Sequence, residues 1–134
     1  MRALLDTSVL VPMSEPGQAP PDLSDIDEVL VSMLSYVELT IGVQASSSVA
    51  VFRHRSARLA ALRRAFGQGI PFDEDCLRAY ERILAHVADS GGDVKARRFD
   101  RLIAATALAH SATLVTRNDA HVINLTPLIE IDVR

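Results

Sequence analysis

A chain of 134 residues is long enough to bury one core, and its single cysteine, Cys76, excludes an internal disulfide and a cysteine-based zinc cluster. The formal net charge of −3 excludes a uniformly basic nucleic-acid coat, and Asp6 interrupts the one apolar opening that could serve as a secretory signal. The run "VLVSMLSYVELTIGV" is too short for a membrane span and carries Glu38, so the expectation is one domain over residues 1–134, cytoplasmic and without a membrane partner.

"ALL" reads as a buried strand ending in the polar turn "DTS", with Thr7 or Ser8 able to cap a helix through "VLVPM". "SEPGQAPPDLSD" is a loop, because its prolines and glycine cannot continue that helix. "EVLVS" is a second strand. "MLSYVELTIGVQA" then carries Leu34, Val37, Ile41 and Gln44 at helical spacing, which places Glu38 on a largely apolar helix. The next segment opens with serine caps and closes with glycines, and Phe52, Leu59, Leu62 and Phe66 form its apolar stripe.

"IPFD" reads as a third strand, followed by a helix through "EDCLRAYERILAHVADSGG" with acids at its start, as the helix dipole favours. After a polar loop (92–99), "RRFDRLIAATALAH" is a helix opened by Asp100. The strand "ATLVT", the polar turn "RNDAH" and the strand "LIEIDV" complete the chain. Strands alternating with helices define an α/β fold whose parallel sheet is covered on both faces.

Nearly all the basic residues are arginines, and they cluster. Arg53, Arg55, Arg58, Arg63 and Arg64 stand with His54, and Lys95, Arg97, Arg98 and Arg101 form a second group. The planar guanidinium fork suits phosphate, so these clusters are compatible with a nucleic-acid partner; a solvated helix face explains the first group equally well.

In open parallel sheets ligands bind at the carboxyl ends of the strands. Asp6 follows the first strand, Asp119 follows "TLVT" with Thr116 and Asn118, Glu38 lies after the second strand, and Asp100 precedes "TLVT". Singly, each has a plain structural explanation. Asp6 could close an Asx-turn, Asp119 belongs to a turn, and Asp100 could cap a helix, although Ile103 cannot complete a capping box. Glu38 is hardest to explain this way, because a carboxylate among apolar neighbours needs a cation, donors or a proton.

Together, clustered carboxylates repel unless a cation sits among them. Oxygen donors favour a hard ion, Mg2+, with Mn2+ as a substitute, and such an ion supports phosphodiester hydrolysis. His54, His86, His110 and His121 lack ligand spacing and read as surface or packing residues. Only the place of His121 in the chain sets it apart.

"LLDTSVL", "SYVELTIGV", "RRFDRLIAATALAH" and "TLVTRND", in this order, resemble a PIN domain of the VapC-type toxins. The resemblance implies a three-layer α/β/α sandwich with a mainly parallel sheet of about five strands. It implies a Mg2+-dependent endoribonuclease toxin acting on RNA, held inactive by a cognate antitoxin, as a homodimer or a toxin–antitoxin hetero-oligomer. By the same resemblance Asp6, Glu38 and Asp100 are the first three acids, with the hydroxyls of Thr7 and Ser8 beside the first.

The family often reads Thr-x-Asn-x-x-Asp-Phe at its fourth acid. This chain instead has His121 and Val122, leaving Asp119, Asn118 and His121 as candidates for that place. Thr116 fits a hydroxyl that supports a carboxylate, and Arg97, Arg98 and Arg117 would flank the site and meet RNA phosphates.

That departure motivates the alternative of a catalytically weak PIN domain that binds RNA or a partner. A phosphotransfer reading of "LLDTSV" fits poorly, because Ser8 stands where a second aspartate is needed and Lys95 is the only lysine. Val43, Val49, Val51, Phe52 and Leu59 exceed what one small core absorbs, so part of residues 33–66 is expected to face a partner.

Overall fold

The apolar run near the N-terminus becomes the centre of the sheet. In the computed structural model, which describes residues 1–134, β1 (Arg2–Leu5) is fully buried at Ala3, Leu4 and Leu5. It pairs in parallel with β2 (Glu28–Val31) on one side and with β3 (Thr113–Thr116) on the other. Strand β4 (Ile131–Val133) adds to β3, so the order is β2-β1-β3-β4, all parallel. Chain order therefore reverses between β1 and β3, and a crevice opens there at the carboxyl edge.

Strand alternation divides the core into two layers. Leu4 and Leu114 face α4 (Glu74–Asp89) and α5 (Arg98–Ala109), packing with Ile83, Val87, Ile103 and Leu125. Ala3, Leu5 and Val115 face α1 (Thr7–Met13), α2 (Met33–Gln44) and α3 (Val49–Phe66), among Val9, Leu10, Tyr36, Leu39 and Leu62. This is the three-layer α/β/α sandwich.

The sheet has four strands because "IPFD" contributes only one bridge, Ser32 to Ile70. Ile70 donates its N–H to the Val31 carbonyl at 2.8 Å and accepts that of Met33 at 2.9 Å. Pro71 follows with no N–H to continue the ladder. Gly69 is needed just before it, since a Cβ there would lie 2.5 Å from the Met33 nitrogen.

Helix starts follow local chemistry, with two corrections. Ser48 and Asp73 cap α3 and α4 by accepting the N–H groups of Val51 and Cys76. The cap position of α1 belongs to Asp6, not to Thr7 or Ser8, and its carboxylate makes no cap bond. Likewise α5 is entered through Arg97 in the left-handed region (φ 54°, ψ 42°), so Asp100 sits inside the first turn rather than at the cap. Both carboxylates are thereby left for other partners.

Much of the first arginine group is spent on structure. Arg58 and His54 hold Glu15 of the long loop, at 2.6 and 2.9 Å, and Arg55 donates to the Gly42 carbonyl at 2.7 Å. Arg63 lies over the Tyr36 ring. In the second group Arg101 is buried and donates to the Asp93 carbonyl at 2.6 Å, pinning the loop before α5.

The apolar surplus also resolves. Val43 is buried and Leu59 is half-buried, whereas Val37, Ile41, Val49 and Phe52 remain exposed along α2 and α3. No helix is long and apolar enough to cross a membrane.

Candidate active site

Asp6 leaves β1 at its carboxyl end and donates its N–H to the Val115 carbonyl at 2.9 Å, which fixes its backbone to β3. Two hydroxyls converge on its Oδ2: Ser8 Oγ donates at 2.6 Å and Thr116 Oγ1 at 3.0 Å. The backbone sets their direction. Arg117 N–H donates to Ser8 Oγ at 3.0 Å, and Asn118 N–H to Thr116 Oγ1 at 3.1 Å. Each hydroxyl oxygen is thus an acceptor on one side and turns its proton toward the carboxylate. Thr7 packs on the other side and donates to Ser35 Oγ at 3.1 Å.

Asp6, Thr7, Ser8, Glu38, Asp100, Asn118 and His121, with Val11 and Pro12, line one cleft of about 400 Å³ at the sheet's switch point. A second hollow of about 260 Å³ lies beyond the opposite end of β3, around Leu108, Ser111 and Glu130, and gathers no comparable chemistry. Helix α2 brings Glu38 in, because its buried residues Ser35, Tyr36, Leu39 and Val43 seat the adjacent face on the core. Helix α5 brings Asp100 in through the small buried residues Ala104, Ala105 and Ala107, which let it lie close on the sheet.

The three acids influence one another electrostatically. Burial, and then the charges of Asp6 and Asp100, push the Glu38 carboxyl above the usual carboxylate range, against the opposing effect of the Thr7 hydroxyl. Asp100 is likewise raised by burial and by Asp6, while His121 and Arg97 pull it back. Such groups favour a proton or a cation more than free carboxylates do.

The turn after β3 corrects two expectations about single residues. Residues Asp119–His121 form a 3-10 turn, in which side chains three apart share a face. Asn118, just before that turn, and His121 at its end stand together in the cleft, Nδ2 to Nε2 at 3.2 Å, and Asp119 does not line it. His121 is not a surface or packing residue, since its Nδ1 lies 3.2 Å from Asp100 Oδ2. The separation of three from Asn118 was the signal in the sequence, legible only once the turn is known to be 3-10. Arg97 and Arg98 are exposed at the head of α5 and Arg117 is exposed after β3; none of the three lines the cleft, and Arg97 is near enough to Asp100 to lower its pKa.

The donor chemistry fits a hard divalent ion. Three carboxylates with two members held high by burial and mutual repulsion form a set that a cation relieves, and the open cleft leaves room for its waters. As the side chains stand, no three acidic, imidazole or thiol groups are close enough together to hold an ion directly.

A parallel α/β sandwich with this acid-lined crevice at its switch point defines the class of protein. The PIN domain family model matches residues 3–124, and the chain belongs to that family. Over 117 residues it is 32% identical to Ribonuclease VapC5 of Mycobacterium tuberculosis, covering 87% of this chain and 82% of that protein. Over 125 residues it is 30% identical to Toxin FitB of Neisseria gonorrhoeae, covering 86% of each. In structure it is similar to the VapBC-5 toxin–antitoxin system from M. tuberculosis, with a TM-score of 0.76, 26% identity and coverage of 99% and 98% of the two chains.

Proposed function

We propose that the chain is a metal-dependent endoribonuclease acting as the toxin of a toxin–antitoxin pair in the cytoplasm. The observation that carries the reading is the convergence of Asp6, Glu38 and Asp100 on one cleft, from three elements spread over the chain. The likeness to Ribonuclease VapC5 and Toxin FitB supports it.

Asp6, Glu38 and Asp100 would hold a divalent ion, Mg2+ or Mn2+. When bound, the ion would offset the charge of the scissile phosphodiester and acidify an attacking water. The chain's own residues supply the rest. Ser8 and Thr116 fix the orientation of Asp6, and Glu38 and Asp100 hold charge where substrate phosphate must approach. Arg97, Arg98 and Arg117 meet the flanking phosphates, which orients the RNA without reading its sequence.

The antitoxin would cover the exposed apolar side chains Val37, Ile41, Val49 and Phe52, beside a groove lined by Thr40, Val43, Leu59 and Arg63. Likeness to the VapBC-5 toxin–antitoxin structure supports such a hetero-oligomer. A homodimer would use part of the same face.

The open arrangement of the acids favours one second reading, a catalytically weak PIN domain that works by binding RNA. Mapping RNA 5′ ends after induction of the wild type and of Asp100→Asn separates the two. New ends with the wild type alone support the nuclease; identical ends in both strains leave only the binding module.

A further inference from the structure

Nine residues line the acid cleft, and Val11 and Pro12 are the two whose side chains carry no polar group. With Ser8 they stand at i, i+3 and i+4 along α1, on one face of that helix. Val9 and Leu10 between them are fully buried in the core. Val11 touches the same core layer, yet it and Pro12 keep part of their surface exposed, and α1 turns that apolar edge to the cleft. Pro12 is also unfavourable locally. It lies inside a helix of seven residues and has no N–H to give the Ser8 carbonyl four residues back. Departures of this kind from local preference gather at functional sites.

The rest of the cleft is polar and includes the carboxylates of Asp6, Glu38 and Asp100. Such a lining repels a polyanion, so an RNA strand entering it needs an attraction other than charge. A nucleobase supplies one, because its faces are flat and apolar and it is joined to the phosphate through one sugar. Val11 and Pro12 make a patch two side chains wide. That suits one base and falls short of the row of anchors a partner helix needs. We infer that Val11 and Pro12 form the seat of an unpaired nucleobase, next to the phosphodiester that lies among the acids. The inference rests on the reading of this cleft as an RNA-cleaving site. Duplex bases are stacked on both faces, so the seat selects single-stranded RNA. It is tolerant of base identity, since every base has such a face.

The test is binding to short single-stranded RNA and to an abasic strand of equal length and charge, with the chain carrying Asp100→Asn so that nothing is cut. The RNA should bind at least about fivefold more tightly than the abasic strand, the low end for a base contact. Pro12→Ser, added to that chain, should lose most of the difference. It restores the missing N–H and should melt no lower than its parent, so the loss is not one of folding. Val11→Thr, which keeps the shape and adds a hydroxyl, should weaken binding of the base-bearing strand alone. Equal binding of both strands by the parent, or an unchanged base preference in Pro12→Ser and Val11→Thr, overturns the seat. Cleavage by the wild type separates the two claims. Cuts in Mg2+ or Mn2+ without any base preference leave the nuclease and remove the seat. A Pro12-dependent preference with no cleavage in either ion leaves the seat, on a binding domain, and removes the nuclease. Binding of neither strand overturns both.

Discussion

Thr116 donates its hydroxyl proton to Asp6 Oδ2 at 3.0 Å while its oxygen accepts the Asn118 N–H at 3.1 Å. One side chain at the end of β3 thus ties the first acid to the turn that carries His121. Thr116→Val keeps the shape and removes the hydroxyl. Loss of such an outer partner costs on the order of 10–100-fold in metal affinity or activity, and RNA cleavage assays of Thr116→Val should show a loss in that range. Thr116→Ser should retain most of the activity.

The raised carboxyls of Glu38 and Asp100 have a consequence for stability. An acid whose affinity for protons is higher in the folded state weakens the fold as pH rises through its titration, because the folded state then binds more protons than the unfolded one. Asp100→Asn should therefore melt higher than the wild type at neutral pH without metal. The gap should close as pH falls and the wild-type carboxyl takes up its proton. Added Mn2+ should raise the melting temperature of the wild type and leave that of the variant nearly unchanged.

Arg97, Arg98 and Arg117 are exposed, on the elements that carry Asp100 and Asn118, and are proposed to meet RNA phosphates. Replacing any one by alanine, in an RNA-binding assay with the inactive Asp100→Asn chain, should weaken binding to different RNAs about equally. The slope of log affinity against log salt should shrink by about 0.7 per arginine for a single strand. Arg101, which is buried, belongs to a different class: Arg101→Ala should lower the melting temperature.

Gly69 has a backbone reason for its identity, since an added Cβ would meet Met33 and Ser32 main-chain atoms at 2.5–2.9 Å. Gly69→Ala should destabilise the chain by about 1–3 kcal/mol, measured by denaturant unfolding. Because that contact lies at the entry to α2, the same change should displace Glu38 and reduce cleavage.

The parallel order of strands and the edge at which chemistry gathers were legible in the sequence, because buried strands read as unbroken apolar runs and each is followed by polar residues. Asp6 stood out for that reason, Glu38 as a carboxylate on a largely apolar helix, and Asp100 at the head of the helix before "TLVT". One of the five expected strands, the third in chain order, was over-read: "IPFD" has strand-like residues, but Pro71 follows the single bridge at Ile70. The plain alternative for Asp100, a helix cap, is not realised because Arg97 takes the cap position in the left-handed conformation, which no propensity of arginine announces. His121 and Asp119 were misplaced for a similar reason. Two residues apart in sequence, they exchange faces according to whether the segment is an irregular turn or a 3-10 turn. The arginine clusters were visible as charge, but their internal bonds to Glu15, Gly42 and Asp93 depend on loops whose path composition does not specify.

The most direct measurement is cleavage of a single RNA preparation by the purified chain, in EDTA, in Mg2+ and in Mn2+, beside Asp6→Asn and Asp100→Asn. Discrete cuts by the wild type in either ion, none in EDTA and none by either variant with its fold intact, are the predicted result. Equal cleavage in EDTA, or by both variants, would contradict a metal-dependent site built on Asp6, Glu38 and Asp100.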